Sequence, residues 1–223
     1  MKEIPVLFEN NDCIIFNKPA GLAVQGGAGI KISLDSILAE RFEGRPLLVH
    51  RLDRDTSGII LVARHKEAAA FFSRLFSREG EGEGGGPGGT SAGGRKITKQ
   101  YLALCSGVPA EPEGCITMDI SVKGESKKAG TLYKCLKSYP QSEDNEFSLL
   151  EMTLLTGRMH QIRRHLSQSG HPILGDDKYG DFALNKRLRK SLGLKHLHLH
   201  SSRLCIPNIL DVTAPLPEYW LFY

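Results

Sequence analysis

The sequence has no long hydrophobic run. Nothing in its 223 residues approaches the roughly 18 consecutive apolar residues that a membrane helix requires. The first five residues, Met1 to Pro5, also lack the apolar core of a secretory signal peptide. The sequence therefore argues against a membrane protein and against secretion, and we expect a cytoplasmic location.

Patterns that bind metals or nucleotides are also missing. The five cysteines are an odd number without C-x-x-C spacing, and each lies among apolar residues, which favours buried free thiols over disulfides or zinc ligands. No G-x-x-x-x-G-K-[ST] phosphate loop and no G-x-S-x-G nucleophile elbow is present. A disulfide scaffold, a P-loop nucleotide hydrolase and a Ser-His-Asp hydrolase are therefore disfavoured.

Apolar periodicity predicts a domain that mixes strands and helices. Strand patterns cover residues 13–16, 46–49, 59–63, 101–105, 115–122, 131–139 and 147–155. Helical patterns cover residues 33–42, with Ser33 as N-cap, then 66–79, 158–168 and 182–192. The last of these helices should bury Leu184, Leu188 and Leu192. Closely spaced strands without intervening helices indicate antiparallel pairing, so we expect an α/β fold of the α+β kind, with a mixed, largely antiparallel sheet and flanking helices.

Positive charge is concentrated in one part of the chain. Residues 158–203 carry ten Lys and Arg against three Asp and Glu, and six of the eight histidines. Residues 1–157 are nearly balanced, with 19 basic and 20 acidic residues. The local surplus of seven predicts a surface for a polyanion, the alternative being a solvated helix face that binds nothing.

The most informative segment is His50-Arg51-Leu52-Asp53-Arg54-Asp55-Thr56-Ser57-Gly58, which places several charges between two apolar runs. A polar loop held by buried strands keeps its side chains in place and exposes them. From composition alone it is a turn, in which Asp53 would pair with Arg51 or Arg54.

This nine-residue string resembles the signature loop of the RluA family of RNA pseudouridine synthases. Four further segments resemble family motifs and occur in the family's order: 17–22, 99–104, 156–165 and 170–176. The resemblance covers nearly the whole chain. It implies one pseudouridine synthase catalytic domain over 1–223, acting on structured RNA, with ribosomal RNA favoured and transfer RNA as the alternative.

The resemblance also assigns roles to individual residues. Asp53 would be the catalytic carboxylate, Tyr101 would stack on the target base and take the C5 proton, and Arg163 would orient Asp53. Arg51 would enter the RNA stack in place of the extruded nucleotide. The expected RNA-binding residues are Arg51, Arg54, Arg158, His160, Gln161 and Arg164. His160 and Gln161 could instead cap or pack, and composition alone would make Tyr101 an ordinary strand tyrosine.

The implied reaction breaks the N1–C1′ bond of uridine, rotates the base and rejoins it through C5. Nothing is oxidised or added, so no cofactor is expected. The carboxylate of Asp53 could attack C1′ or C6, or remove a sugar proton, and the sequence leaves these routes open. Each route needs an extruded nucleotide, because the reacting atoms are inaccessible inside an RNA stack.

Two other functions compete with this one. His196, His198 and His200 alternate along a strand and could hold a metal, but no Cys, Asp or Glu stands close by, so we expect no metal and a histidine stripe that packs or faces RNA. A metal-dependent hydrolase is therefore remote. An RNA-binding protein that no longer turns over is the other alternative, which the presence of Asp53, Tyr101 and Arg163 together disfavours.

The sequence departs from the family pattern in two places. Many members carry an S4 RNA-binding domain before the core, whereas here the core begins within about ten residues of Met1, so recognition is expected from the core and its basic part. Residues 80–94 contain nine glycines in fifteen, which is linker composition. We interpret them as an inserted surface loop, with a flap over bound RNA as the alternative. A monomer is expected.

Overall fold

The computed structural model describes residues 4–78, 97–122, 124–140 and 146–220. In chain order the elements are β1 (Val6–Glu9), β2 (Cys13–Lys18), α1 (Leu34–Arg41), β3 (Leu47–Leu48), β4 (Ser57–Ala63), α2 (Lys66–Arg78), β5 (Thr98–Ser106), β6 (Glu113–Thr117), β7 (Ile120–Val122), β8 (Glu125–Lys127), β9 (Gly130–Pro140), β10 (Glu146–Leu154), α3 (Gln161–Gln168), α4 (Phe182–Ser191), β11 (Leu199–Ile206) and β12 (Leu210–Thr213). Within these ranges no helix has the length and apolar character needed to cross a bilayer. The insertion at 80–94, and with it the flap alternative, lies outside the described residues.

The chain divides into two compact units. Unit 1 comprises Met1–Lys99 and Ser201–Pro215, and unit 2 comprises Gln100–His200 and Leu216–Tyr223. Each unit combines antiparallel strand pairs with helices, so the α+β fold class is confirmed. The single catalytic domain over 1–223 stays a prediction.

The centre of unit 1 is β4. It pairs antiparallel with both β2 and β3, it lies next to β11, and every one of its seven residues is buried. A strand covered on both faces needs a continuous apolar run rather than an alternating one, which is what Ile59 to Ala63 supplies. Helix α2 packs Ala68 and Phe72 against the same core cluster as Ile15 and Leu61 of the sheet. The start of β4 is therefore a rigid base for the loop that precedes it.

Unit 2 is built on four antiparallel strands in the order β5-β10-β9-β6. Helix α4 contributes Leu184 and Leu188 to a core that also contains Leu104, Leu149 and Trp220. Helix α3 buries Ile162 and Leu166, as the helical spacing predicted. Two residues of the histidine stripe pack, because His198 and His200 are buried and their rings lie against Tyr219 and Trp220. His196 is exposed beside Tyr219.

Several sequence predictions are confirmed and others are wrong. Ser33 caps α1 through a reciprocal capping box with Ser36. Leu192 is 42% exposed rather than buried, because α4 ends at Ser191 and the chain leaves the helix there. Cys115 is also exposed, in the terminal strand β6, and Cys135 and Cys205 are half-buried, whereas Cys13 and Cys105 are buried as expected. All five cysteines are free thiols.

Gly58 provides a test of how tightly β4 is packed. Its φ is +104°, and a Cβ placed there would overlap the carbonyl oxygen of Ser201 and lie 2.7 Å from the Ser201 nitrogen. Gly44 has a φ of +74° but open space where a methyl group would be added, so the change to alanine adds only backbone strain. We expect Gly58→Ala to lower the free energy of unfolding by about 3 kcal/mol or more and Gly44→Ala by about 1–2 kcal/mol, measured by denaturant unfolding. Equal losses would contradict this packing.

Candidate active site

The side chain of His50 fixes where the loop of residues 50–58 begins. Strand β3 ends at Leu48, and the Nε2 atom of His50 then accepts a hydrogen bond from the Leu61 N–H at 2.9 Å. The ring also stacks on Phe76, with 4.2 Å between ring centroids. Burial, reinforced by the positive charge of Lys99, lowers the pKa of His50 to about 3. The ring therefore stays neutral, as an acceptor must, and continues the pairing of β4 beyond the end of β3.

A buried lysine holds the middle of the same loop. Lys18, at the end of β2, is fully buried, and its Nζ donates to the carbonyls of Pro19, Leu22 and Arg54 at 3.0, 2.8 and 3.0 Å. The Arg54 carbonyl also accepts the Gly21 N–H at 2.9 Å. Two donors from residues 17–22 thus converge on one carbonyl of the loop. This arrangement, the Lys18 clamp, fixes the backbone next to Asp53.

Two opposing effects determine the charge of Lys18. Burial lowers the pKa of Lys18 to about 7, and the negative charges of Asp55 and Asp53 oppose that shift. A cation with two carboxylates within electrostatic reach is favoured over an isolated buried ammonium. The carboxylate of Asp53 thus lies within electrostatic reach of the Lys18 amino group in unit 1.

The charged residues of the loop differ in their exposure to solvent. Leu52 is buried and anchors the turn, Asp53 is half-buried, and Arg51 and Arg54 are exposed. Arg54 Nε donates to Asp55 at 3.2 Å. The loop therefore presents a carboxylate between two guanidinium groups on a backbone fixed from both sides.

Unit 2 contains the other two residues of the expected catalytic set. Tyr101 lies in β5 opposite Met152 of β10 and is 7% exposed. Arg163 lies in α3 and is also buried. Its guanidinium donates to both carboxylate oxygens of buried Asp176, at 2.8 and 2.7 Å, and to exposed Asp177 at 3.2 Å. It also lies over the ring of Tyr179, 5.3 Å from the centroid.

Asp176 is the centre of this second arrangement. Its Oδ1 also accepts the backbone N–H groups of Lys178 and Tyr179, each at 2.9 Å. Burial would raise the pKa of Asp176, but the hydrogen bonds from Arg163, Tyr179 and Lys178, together with the Arg163 charge, hold it below the ordinary carboxyl value. Arg163 is therefore held in one orientation by an ionised partner.

His160 and Gln161, at the start of α3, have different surroundings. His160 has a left-handed backbone, with a φ of 53°, and its Nδ1 lies 3.0 Å from the Tyr179 hydroxyl. Gln161 is buried. Its Oε1 accepts from the Thr156 hydroxyl and the Arg158 N–H, and its Nε2 donates to the Gly130 carbonyl and the Thr131 hydroxyl. All four hydrogen-bonding positions of the amide are used, which favours the packing and capping alternative for Gln161 over an RNA contact.

The two remaining arginines brace unit 2. Arg158 Nε donates to the Lys128 carbonyl at 3.4 Å, and Arg164 Nη1 donates to the Ser121 carbonyl at 2.9 Å. Both therefore attach α3 and the turn before it to the segment that contains β7 and β8.

The structure groups the expected site residues by unit. Unit 1 brings together Arg51, Asp53 and Arg54, and unit 2 holds Tyr101, Arg163 and the other expected RNA contacts. The meeting of Asp53, Tyr101 and Arg163 in one cleft stays a prediction. Among the residues described, no group of three or more His, Cys, Asp or Glu side chains is placed to hold a metal.

Sequence reasoning missed four residues that position the site. They are Lys18, His50, Asp176 and Tyr179. Lys18, His50 and Asp176 lie inside the motif segments and were identifiable as polar residues next to apolar runs. Tyr179 lies outside those segments, and no signal in the sequence links it to Arg163.

A family model described as RNA pseudouridylate synthase matches residues 12–168, a stretch that contains Lys18, His50, Asp53, Tyr101 and Arg163. This chain belongs to that family. It is therefore an RNA-modifying isomerase.

Individual relatives agree with this. The "Ribosomal large subunit pseudouridine synthase C" of Rickettsia felis is 34% identical over 96% of this chain and 68% of that protein. The protein of the same name from Vibrio vulnificus is 32% identical over 96% of this chain and 66% of that protein. The solved structure of "Human RNA Pseudouridylate Synthase Domain Containing 4" matches with a TM-score of 0.74 and 25% identity, covering 96% of this chain and 89% of that one.

Two neighbouring aspartates test the Arg163 pair. Asp176→Asn removes the buried carboxylate to which Arg163 donates two hydrogen bonds, so we expect the free energy of unfolding to fall by about 3–5 kcal/mol. Asp177→Asn is the control. The side chain of Asp177 is 71% exposed, and we expect a loss below about 1 kcal/mol. Denaturant unfolding at neutral pH measures both. Similar small losses would show that the buried pair does not stabilise unit 2.

Lys18 predicts a pH-dependent contribution to stability. The unfolded chain keeps this proton up to the ordinary pKa of 10.5, whereas the folded protein releases it above about 7. Between these values the unfolded state binds more protons, so the contribution of Lys18 to stability rises with pH. We therefore expect the wild type to gain stability relative to Lys18→Met as the pH rises from about 7 to about 9. Urea unfolding of both proteins measures the two free energies.

The control for this measurement is Lys66→Met, which changes an exposed lysine at the start of α2. Its difference from the wild type should stay constant over the same pH range. A Lys18→Met difference that is equally constant would contradict a shifted lysine at this position.

Proposed function

We propose that this protein converts specific uridines of large-subunit ribosomal RNA into pseudouridine, with Asp53 as the catalytic carboxylate and with the target nucleotide flipped out of its stack. The observation that carries the proposal is the loop of residues 50–58, in which His50 and the Lys18 clamp hold the backbone around Asp53 inside a segment that matches the family. The choice of ribosomal RNA is supported by the names of the Rickettsia felis and Vibrio vulnificus relatives. Transfer RNA is the alternative substrate.

In the proposed reaction Asp53 acts in its ionised form. The N1–C1′ bond breaks, the uracil rotates, and a C5–C1′ bond forms, after which the C5 proton leaves and N1 gains a proton. Asp53 attacks C1′ or C6, or removes a sugar proton, and all three routes need an oriented carboxylate. A backbone fixed at Arg54 supplies that orientation without any contribution from substrate binding.

Tyr101 and Arg163 complete the proposed catalytic set. Tyr101 stacks on the base and takes the C5 proton, and Arg163 favours the charged form of Asp53. The bidentate bond to Asp176 supports the role of Arg163, because it keeps the guanidinium rigid and ionised in a buried setting. Rigid partners are what a base-modifying enzyme needs once a nucleotide has left its stack.

Five side chains remain as proposed RNA contacts: Arg51, Arg54, Arg158, His160 and Arg164. Arg51 and Arg54 are exposed beside Asp53, where a guanidinium can stack on a base and hydrogen-bond at the same time. Extrusion of the target costs a few kcal/mol, and a side chain that replaces the missing base offsets part of it.

The adjacent aspartates of the loop test the central role. Asp53→Asn removes the ionisable oxygen but keeps the shape, so we expect tritium release from C5-labelled uridine in RNA to fall by at least about 10³-fold. Asp55→Asn is the neighbouring comparison, and we expect a smaller loss than for Asp53→Asn, because Asp55 affects the loop only through its pair with Arg54 and its charge near Lys18. Wild-type release by Asp53→Asn would refute the assignment.

The RNA target has its own test. We expect total RNA from cells that lack the gene to lose one or more pseudouridines in large-subunit ribosomal RNA, and reintroduction of wild type but not of Asp53→Asn to restore them. Loss confined to transfer RNA would refute the ribosomal choice and leave the chemistry intact. Cytoplasmic location is part of the same proposal, and fractionation of cells tests it.

A further inference from the structure

The structure divides the positive charge of residues 158–203 into two groups. One group consists of arginines that donate to acceptors inside the protein: Arg158, Arg163, Arg164 and Arg203 bond to Lys128 O, Asp176, Ser121 O and Asp211. Arg163 is buried and belongs to the fold, whereas Arg158, Arg164 and Arg203 are only partly buried. The basic surplus available to a ligand is therefore smaller and more localised than the sequence indicated.

Half of the other six cations lie on one side of α4. Asp181 caps this helix by accepting the Leu184 N–H at 2.9 Å, and Leu184, Asn185 and Leu188 are buried beneath it. On the opposite side lie four exposed residues, which we call the α4 face: Phe182, Lys186, Arg189 and Lys190. Their spacing of i, i+4, i+7 and i+8 places them on one helical surface.

The cations of the α4 face are available to a partner. Within the described ranges, no ion pair involves Lys186, Arg189 or Lys190. Phe182 is 62% exposed, which is unusual for an aromatic side chain with an apolar core next to its helix. Cations and an exposed ring together suit a partner that offers both phosphates and aromatic bases.

The α4 face is also rigidly linked to Arg163. Asn185, on the buried side of α4, donates from Nδ2 to the Asp176 carbonyl at 3.0 Å and accepts the Gly175 N–H at 2.9 Å. The side chain of Asp176 in turn holds Arg163. A ligand on the α4 face is thereby placed at a fixed position relative to Arg163 within unit 2.

We propose that the α4 face is an auxiliary RNA-binding surface, which contacts phosphates of the substrate outside the flipped nucleotide and stacks Phe182 on an exposed base. This proposal rests on the proposed function, since the RNA is the substrate of the same enzyme. An α-helix of this length spans about 15 Å, which is enough for contacts with several phosphates. The face supplies affinity and register rather than chemistry.

The test compares two triple variants that lose the same charge. Lys186→Gln, Arg189→Gln and Lys190→Gln together remove the cations of the α4 face. Arg41→Gln, Lys66→Gln and Arg74→Gln together remove three exposed cations from helices of unit 1. RNA affinity is measured against salt on fragments of large-subunit ribosomal RNA and on transfer RNA, and steady-state kinetics on whichever RNA the wild type converts.

We expect the α4 variant to weaken binding and raise KM by about 10-fold or more near 0.1 M salt, and to lower the slope of log Kd against log salt by about two. Its kcat should stay within about 2-fold of the wild type, because the face touches no reacting atom. The unit 1 variant should change KM by less than about 3-fold. Phe182→Ala should raise KM without changing the salt slope, since stacking releases no counterions.

Specific results would overturn the proposal. If the α4 variant binds RNA with the affinity and salt slope of the wild type, the α4 face is a solvated helix surface. If both triple variants lose affinity equally, the effect is one of net charge. Failure of the wild type to modify ribosomal RNA would instead refute the proposed substrate, while the salt slopes on transfer RNA still decide about the face. If the α4 triple variant unfolds at a clearly lower temperature than the wild type, the single variant Lys186→Glu replaces it in the measurements of affinity and salt slope.

Discussion

In unit 1 the buried amino group of Lys18, bonded to three carbonyl oxygens, determines where the loop of Asp53 lies. Lys18 could not stay charged in that position without these acceptors and without the carboxylates of Asp55 and Asp53 nearby, because burial of an uncompensated charge costs several kcal/mol. The same bonds attach the Arg54 carbonyl to residues 17–22. The arrangement therefore stabilises the lysine and the loop together, and neither has this geometry without the other.

Unit 2 also fixes a charged group through a buried one, but here the signs of the charges are reversed. There a carboxylate, Asp176, is buried and surrounded by donors, and the group that it positions is the cation Arg163. In both units a buried ion whose hydrogen-bonding capacity is used orients a neighbouring charged group. Preorganisation of this kind reduces the orientation that substrate binding has to supply.

Local signals in the sequence predicted much of this structure. The buried apolar residues Ile59 to Ala63 of β4, the Ser33 cap and the loop at Asp53 follow from short-range patterns, so they were predictable from residue types and spacing. The burial of Ser57 and Gly58 at the start of β4 was not predicted, because the sequence analysis placed them in the exposed loop. The motif segments also contained Lys18 and Asp176. The residue pattern did not reveal which groups these two residues would bond. Their partners are backbone atoms and, for Asp176, also the side chain of Arg163.

The wrong or weakened predictions share one physical cause. Leu192 is exposed because helix α4 ends one residue before it, and Cys115 because β6 buries only part of its surface. Gln161 has the polarity of a substrate contact, yet its amide is occupied by Thr156, Arg158, Gly130 and Thr131. Burial and hydrogen-bond saturation are tertiary properties, and residue identity alone does not contain them.

The same distinction explains why charge must be assigned by contacts rather than counted. An arginine with a buried acceptor stabilises the fold and offers little to a ligand, whereas a lysine on an exposed helix face keeps its full attraction for phosphate. The extrusion of a nucleotide, which we propose for this enzyme, loses a few kcal/mol of stacking that contacts elsewhere on the RNA must recover. Cations on a helix that is fixed to the loop of Asp176 can supply those contacts without moving Arg163, so binding and orientation are provided by separate residues of one rigid unit.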